Sequence, residues 1–151
     1  MKEISLDEND HGLLRALKKD SRATVAELSK KLGLPRSTVH ERISRLRDNG
    51  IIKRFTIEED YKRTGLPTMA FALASYDPQQ KVNQHEVASE VSKIPGVLGV
   101  YIISGEWDML IKIRGKSIED IGTTILDRIR GVKGVLKTYT MSCFEVVREE
   151  L

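Results

Sequence analysis

The chain has 151 residues, 40% of them hydrophobic and 31% charged, with a formal net charge of +3, which fits one medium globular domain or two small ones and excludes a low-complexity or fibrous chain. No apolar run approaches the roughly 18 residues of a membrane helix, and MKEISLDEND lacks the basic start and apolar block of a secretory leader, so a cytoplasmic protein without a membrane partner is expected. The single cysteine, Cys143, excludes an internal disulfide and a cysteine-rich zinc site, and neither a metal nor a cofactor is expected.

Charge is unevenly spread. Residues 1–58 carry 13 Lys/Arg against 9 Asp/Glu, residues 59–151 carry 12 against 13, and residues 30–54 alone carry 8 against 2. A local positive excess of that size points to a polyanion or to a solvated basic surface. The pattern of apolar residues separates these readings. Up to residue 58 they recur at helical spacing, as Leu13, Leu14 and Leu17, then Val25, Leu28 and Leu32, then Val39, Ile43 and Leu46, which predicts three short helices. Asp7 suits the N-cap of the first. Thr24-Val-Ala-Glu27 is a capping box for the second, Gly33 stops it, and Pro35 suits the first turn of the third, where a missing N–H costs nothing. Gly33 and Leu34 or so are all that joins the second helix to the third, so the two must cross steeply, as in a helix-turn-helix. Asp48-Asn49-Gly50 ends the third helix, and IIKRFTI after it reads as a strand or a pair of short strands forming a basic wing.

On a wheel of about 100° per residue, the core stripe Val39, Ile43 and Leu46 leaves an opposite face of Ser37, Glu41, Ser44 and Arg45. Thr38 and His40 lie to either side and Arg36 at the N-terminal end; Arg42, Arg47, Lys53 and Arg54 lie nearer the flanks. Hydroxyls and arginines hold phosphates, arginine also reads guanine, and a glutamate accepts from cytosine N4. The expected partner is double-stranded DNA. A small protein-interaction bundle with a basic surface is the bland alternative.

These residues, LDENDHGLLRALKKDSRATVAELSKKLGLPRSTVHERISRLRDNGIIKRFT, resemble the winged helix-turn-helix of the Lrp/AsnC regulators, the leucine-responsive and asparagine-responsive "feast/famine" transcription factors. The resemblance is most specific across GLPRSTVHERISRLRDNGII and continues to the C-terminus. It implies a DNA-binding domain over 1–58, a linker over 59–67, and over 68–151 the family's RAM domain, which binds an effector and oligomerises.

The second half supports that division from its own pattern. TMAFALASY reads as a strand, Val82 to Lys93 as a helix, VLGVYIIS and DMLIKIR as strands, and Ser117 to Arg130 as a helix with stripe Ile118, Ile121, Ile125 and Ile129. Val135 to Val147 reads as a last strand. The fold class is α+β, a winged helix-turn-helix followed by a ferredoxin-like βαββαβ domain. Two helices cover one face of a four-stranded sheet, yet TMAFALASY and VLGVYII are apolar at both odd and even positions. The second face therefore wants a cover, and a second copy of the same sheet would give a homodimer. The resemblance implies the same, with dimers assembling to tetramers or octamers.

Between the middle strands lies SGEWD, Ser104, Gly105, Glu106, Trp107 and Asp108, in the place of a hairpin tip. The Lrp/AsnC regulators commonly read Gly-x-x-Asp here and hold a small amino acid at this tip between dimers, which the resemblance implies for Gly105 and Asp108. Chemically, turn amides exposed by a glycine bind a carboxylate, an aspartate binds an ammonium group and an aromatic walls the site. Thr138, Thr140 and Ser142 form a hydroxyl row at period two on the last strand, which a neighbouring subunit would offer to the ligand. Alternatively Gly105 merely makes the turn, Trp107 plugs an interface and the hydroxyls meet water.

Catalysis is not expected. His11, His40 and His85 are scattered, and no zinc-protease, phosphate-loop or nucleophile motif is present. A few proteins resembling the family are haem-pathway decarboxylases acting on sirohaem-type substrates, so the fold alone does not guarantee regulation. An architectural DNA binder without an effector is the remaining alternative.

Overall fold

Each helix of the first half carries its own start signal in the computed structural model of the chain, which describes residues 5–149. Helix α1 (Glu8–Lys19) begins at Asp7, whose carboxylate accepts the Asp10 N–H at 2.8 Å while the Asp10 carboxylate accepts the Asp7 N–H at 3.1 Å. Helix α2 (Val25–Leu32) begins with the same exchange between Thr24 and Glu27, and Gly33 ends it in the left-handed region at φ 66°. Helix α3 (Arg36–Asp48) has Pro35 as its N-cap residue, one position earlier than expected. The Leu34 N–H donates to the Ser29 carbonyl and the Ser29 hydroxyl donates back to the Leu34 carbonyl, which fixes the short joint between α2 and α3. Leu13, Leu28, Val39 and Leu46 meet where the helices cross and are fully buried. Each such side chain contributes about 1.5–3 kcal/mol through the water it sheds.

The wing strands expected over IIKRFTI are absent. Residues 51–59 form no strand; the Ile51 and Ile52 amides donate to the Leu46 carbonyl, and the Ser21 hydroxyl donates to the Thr56 carbonyl. A strand needs a partner, and this run has no internal turn residue to fold it into a hairpin and joins no sheet among the described residues.

The second half forms β1 (Thr68–Tyr76), α4 (Gln84–Ser92), β2 (Val97–Ile102), β3 (Met109–Gly115), α5 (Ile118–Thr123) and β4 (Val135–Cys143), with α5 continued by a π-helical stretch, Thr124–Ile129. Asn83 caps α4, so that helix starts two residues later than its apolar pattern suggests. The strands form an antiparallel sheet in the order β2-β3-β1-β4. Strand β4 stops at Cys143 rather than Val147, because Cys143 pairs with Met69 near the start of β1 and the chain beyond has no strand to pair with.

The sheet has two unlike faces. Ala70, Ala72 and Ala74 pair with Ile113, Ile111 and Met109 and lie under Val87, Val91, Ile121, Ile125 and Ile129 of the helices. Ile118, expected in that stripe, is exposed in the first turn of α5. On the other face, Tyr101, Leu110, Leu73 and Tyr139 form one row across all four strands, and Lys112, Phe71 and Met141 form the next. Phe71 and Leu73 therefore point away from the helices. The chain divides into two compact units, Met1–Glu58 and Glu59–Leu151. Residues 59–67 form a turn that belongs to the second unit: the Leu66 N–H donates to the Tyr61 carbonyl at 2.8 Å, and the Arg114 guanidinium lies 4.3 Å over the Tyr61 ring.

Candidate functional site

Helix α3 is amphipathic in three dimensions as well as on a wheel. Val39 and Leu46 are buried and Ile43 packs beside them. Arg36, Ser37, His40, Glu41, Arg45 and Arg47 are exposed, as are Lys53 and Arg54 beyond the helix, while Thr38 and Ser44 are half-buried. The helix has no acidic residue in its first turn and no side-chain cap, so its N-terminal amides remain available to an acceptor such as phosphate.

Arg42 does something else. Its Nη1 donates to Asp7 and to Asp10, both at 2.8 Å. Arg45 donates from Nη2 to the other oxygen of Asp10 at 2.6 Å. The Asp7 carboxyl is held below its ordinary range chiefly by the Asp10 amide and next by the Arg42 guanidinium, and Asp7 in turn pushes Arg42 above its usual value. This cluster ties α1 to α3. On the helical wheel Arg42 lies on a flank suited to phosphate, and Asp10 belongs to no motif in the sequence. One signal was available: Asp10, Leu13 and Leu17 fall at helical spacing, which places a carboxylate on the buried stripe of α1.

At the tip of the β2–β3 hairpin, Gly105 takes φ 123°, a conformation that favours glycine, and open space surrounds it. Ser104, Gly105 and Glu106 are exposed, while Trp107 and Asp108 are half-buried. Asp108 is bound on three sides. Its N–H donates to the Ala74 carbonyl at 3.1 Å, its carbonyl accepts the Ile103 N–H at 2.9 Å, and its carboxylate accepts the Tyr76 N–H at 2.8 Å. Trp107 turns over the open sheet face, with its ring centroid 6.2 Å from that of Tyr139 and the Lys137 ammonium 4.8 Å over it. Neither Lys137 nor Tyr139 was singled out in the sequence, because a strand pattern does not tell which residue of a distant strand a hairpin tip will reach.

The hydroxyl row lies elsewhere. Thr138, Thr140 and Ser142 pair with Ala74, Ala72 and Ala70, so they share the helix side of the sheet, whereas Trp107 meets Tyr139 on the open side. The Thr138 hydroxyl accepts from Arg130 Nε at 2.9 Å. Within one chain, the tip and the hydroxyl row are not brought together. Among the described residues, no cluster of His, Cys, Asp and Glu would hold a metal, and no helix is long and apolar enough to cross a membrane.

Comparison with known proteins agrees with this architecture. Residues 6–53 match the winged helix-turn-helix DNA-binding family, and residues 69–151 match the Lrp/AsnC ligand binding domain. An HTH-type transcriptional regulator of Pyrococcus furiosus is 49% identical over 146 residues, covering 97% of each chain. Among solved structures, LrpC of B. subtilis superposes with a TM-score of 0.84 at 29% identity, over 96% of this chain and 99% of that one. A transcriptional regulator of Neisseria meningitidis in complex with L-Met has the same fold, with a TM-score of 0.89 at 24% identity over 97% and 94% of the two chains. The chain belongs to the Lrp/AsnC family and is a DNA-binding transcriptional regulator. The decarboxylase reading finds no support among these relatives.

Proposed function

We propose that this Lrp/AsnC regulator lays the exposed face of α3 in the major groove of double-stranded DNA, pairs with a second copy through the open face of its sheet, and responds to an amino acid held at the SGEWD tip between dimers. The observation that carries the first step is the face itself: Ser37, Glu41 and Arg45 are at the surface, and Val39 and Leu46 of the same helix are buried. Arg36, Arg47, Lys53 and Arg54 flank that face as phosphate contacts.

Pairing is supported by the row Tyr101, Leu110, Leu73 and Tyr139, an aromatic and apolar strip that no helix among the described residues covers. Two such faces meet in a self-complementary contact, and dimers then assemble further, to tetramers or octamers. Support for the effector comes from the Neisseria relative, which binds L-Met. Asp108 commits one carboxylate oxygen to the Tyr76 amide, and its other oxygen serves the ammonium group. The Lys137 ammonium beside Trp107 suits the carboxylate. The hydroxyls Thr138, Thr140 and Ser142 come from a neighbouring subunit. The effector would then prefer one assembly geometry and change which pairs of α3 helices reach DNA together. Such a protein works where the DNA is, in the cytoplasm.

The test is a thermal-shift screen of the twenty amino acids on the full chain, since a ligand that prefers the native state raises its apparent stability. At least one saturable shift is expected, together with a saturable change in Trp107 fluorescence. A ligand that shifts the melt but leaves both Trp107 and an Asp108→Ala variant indifferent would move the effector site away from the tip.

A further inference from the structure

Asp10 is fully buried, and it is the one carboxylate among the largest completely buried side chains of the described residues. It accepts from Arg42 Nη1 at 2.8 Å, from Arg45 Nη2 at 2.6 Å and from the Asp7 amide at 3.1 Å. Stability is a poor reason for such a group. Burying a carboxylate and its partners costs desolvation that their attraction often only just offsets, and apolar replacements of similar volume are frequently as stable. Leu13 and Leu17 on the same stripe show that this site accepts apolar neighbours.

The two arginines it binds differ. The Arg42 side chain is 19% exposed and shared between two carboxylates, so it acts as a brace between α1 and α3. The Arg45 side chain is 46% exposed, bonded through one terminal nitrogen, and has no other hydrogen-bond partner among the described residues. We infer that Asp10 is a positioning residue for DNA recognition: from beneath α3 it holds the Arg45 guanidinium in one orientation, with the rest of its fork turned outward for the base or phosphate that Arg45 contacts. This rests on the reading that the exposed face of α3 meets DNA. An unrestrained arginine must lose rotamer freedom when it binds, whereas one already held by a buried carboxylate has lost it on folding. The planar fork is directional, so the gain falls on the correct sequence far more than on DNA in general. The negative charge of Asp10 also tempers the attraction of Arg45 to any phosphate.

The test uses the full chain and a DNA fragment that the unmodified protein selects from a random-sequence library. Affinities for that fragment and for a scrambled one are measured at matched salt for the unmodified protein, Asp10→Asn, Arg45→Ala and the double variant. Asp10→Asn is expected to lower the ratio of specific to non-specific affinity by at least about fivefold, with non-specific affinity unchanged or raised. In the Arg45→Ala background it should cause no further loss. An unchanged ratio, or losses that multiply, would overturn the inference and leave the placement of α3 intact. A library that yields no selected sequence would overturn both. If Asp10→Asn does not fold, side-chain NMR of arginine in the unmodified protein decides the matter. Restricted rotation of the Arg45 terminal nitrogen, kept in the DNA complex, supports the inference, and its release on binding DNA overturns it.

Discussion

The two units of this chain sort charge and apolar surface in opposite ways. The first buries a carboxylate, Asp10, with two arginines around it, and turns a polar face with Ser37, Glu41 and Arg45 to solvent. The second has a core cluster of eleven fully buried residues that is apolar throughout, yet it leaves Tyr101 and Tyr139 exposed on the face of its sheet away from the helices. The difference teaches what each unit still lacks. A polar face on a finished core is complete in water and awaits a polar partner. An aromatic strip on a sheet suits the self-complementary contact we propose for it.

The sharpest way to break that contrast is to charge the strip. Leu73 lies in the middle of the open face, between Leu110 and Tyr139. Leu73→Asp should weaken self-association by roughly 3 kcal/mol or more, since a carboxylate from each copy would be trapped without a partner. Sedimentation should then show monomer or aggregate in place of the proposed dimer. A variant that sediments like the unmodified protein would mean that the strip is not the contact.

Next in size is Arg45→Ala. It should cost about 1–3 kcal/mol in affinity for the selected DNA and relax preference at one base position. Its oligomeric state should not change, because Arg45 belongs to the unit that is complete by itself. Binding curves that overlay those of the unmodified protein at matched salt would reject the placement of α3.

Asp108→Ala comes third and tests whether the tip belongs to the fold or to the ligand. Loss of the acceptor for the Tyr76 amide should lower the stability of the second unit by about 1–2 kcal/mol. The same change should abolish the response to effector while effector-free DNA binding persists. A melt unchanged from that of the unmodified protein would show that the hydrogen bond contributes nothing.

The smallest effect concerns pH. The Asp7 carboxyl lies below its ordinary value of 3.8 in the folded chain, mainly through the Asp10 amide and then through Arg42. A depressed carboxyl contributes stability that is fully present above its ordinary value and is lost as pH falls through the folded value. Glu27, lowered by the Thr24 amide, and Glu119, lowered by the Ser117 hydroxyl, have the same sign. The acid limb of the melting curve below about pH 4 should therefore be shallower in Asp7→Asn than in the unmodified protein. Equal slopes would show that the cap gains nothing from its charge.

What was legible in the sequence was what neighbouring residues decide. Thr24 and Glu27 are three apart, Gly33 ends a helix by its own backbone preference, and the stripe Val39, Ile43 and Leu46 defines its opposite face without any other part of the chain. The order of strands and helices followed from the change of period near residue 59. Only the strands expected over IIKRFTI are absent: the run has the composition of a strand, and whether a strand exists depends on a partner that composition does not supply. At the candidate sites, residue types were legible and their bonds were not. Arg45 reaches an aspartate 35 positions away, and Asp108 takes an amide 32 positions away. The chain also gave no sign that Thr138 and Trp107 would fall on opposite faces of the sheet, because that depends on the way the hairpin tip bends.

We propose that the unit with the open face controls the unit with the polar one. That control is tested most directly by measuring the affinity of the full chain for its selected DNA fragment with and without a saturating amino acid that shifts its melt. A change of roughly fivefold to 150-fold is expected, with an equal change in amino-acid affinity when the DNA is present, because coupling between two ligands is reciprocal. Equal DNA affinity at every amino-acid concentration, with the ligand demonstrably bound, would contradict it.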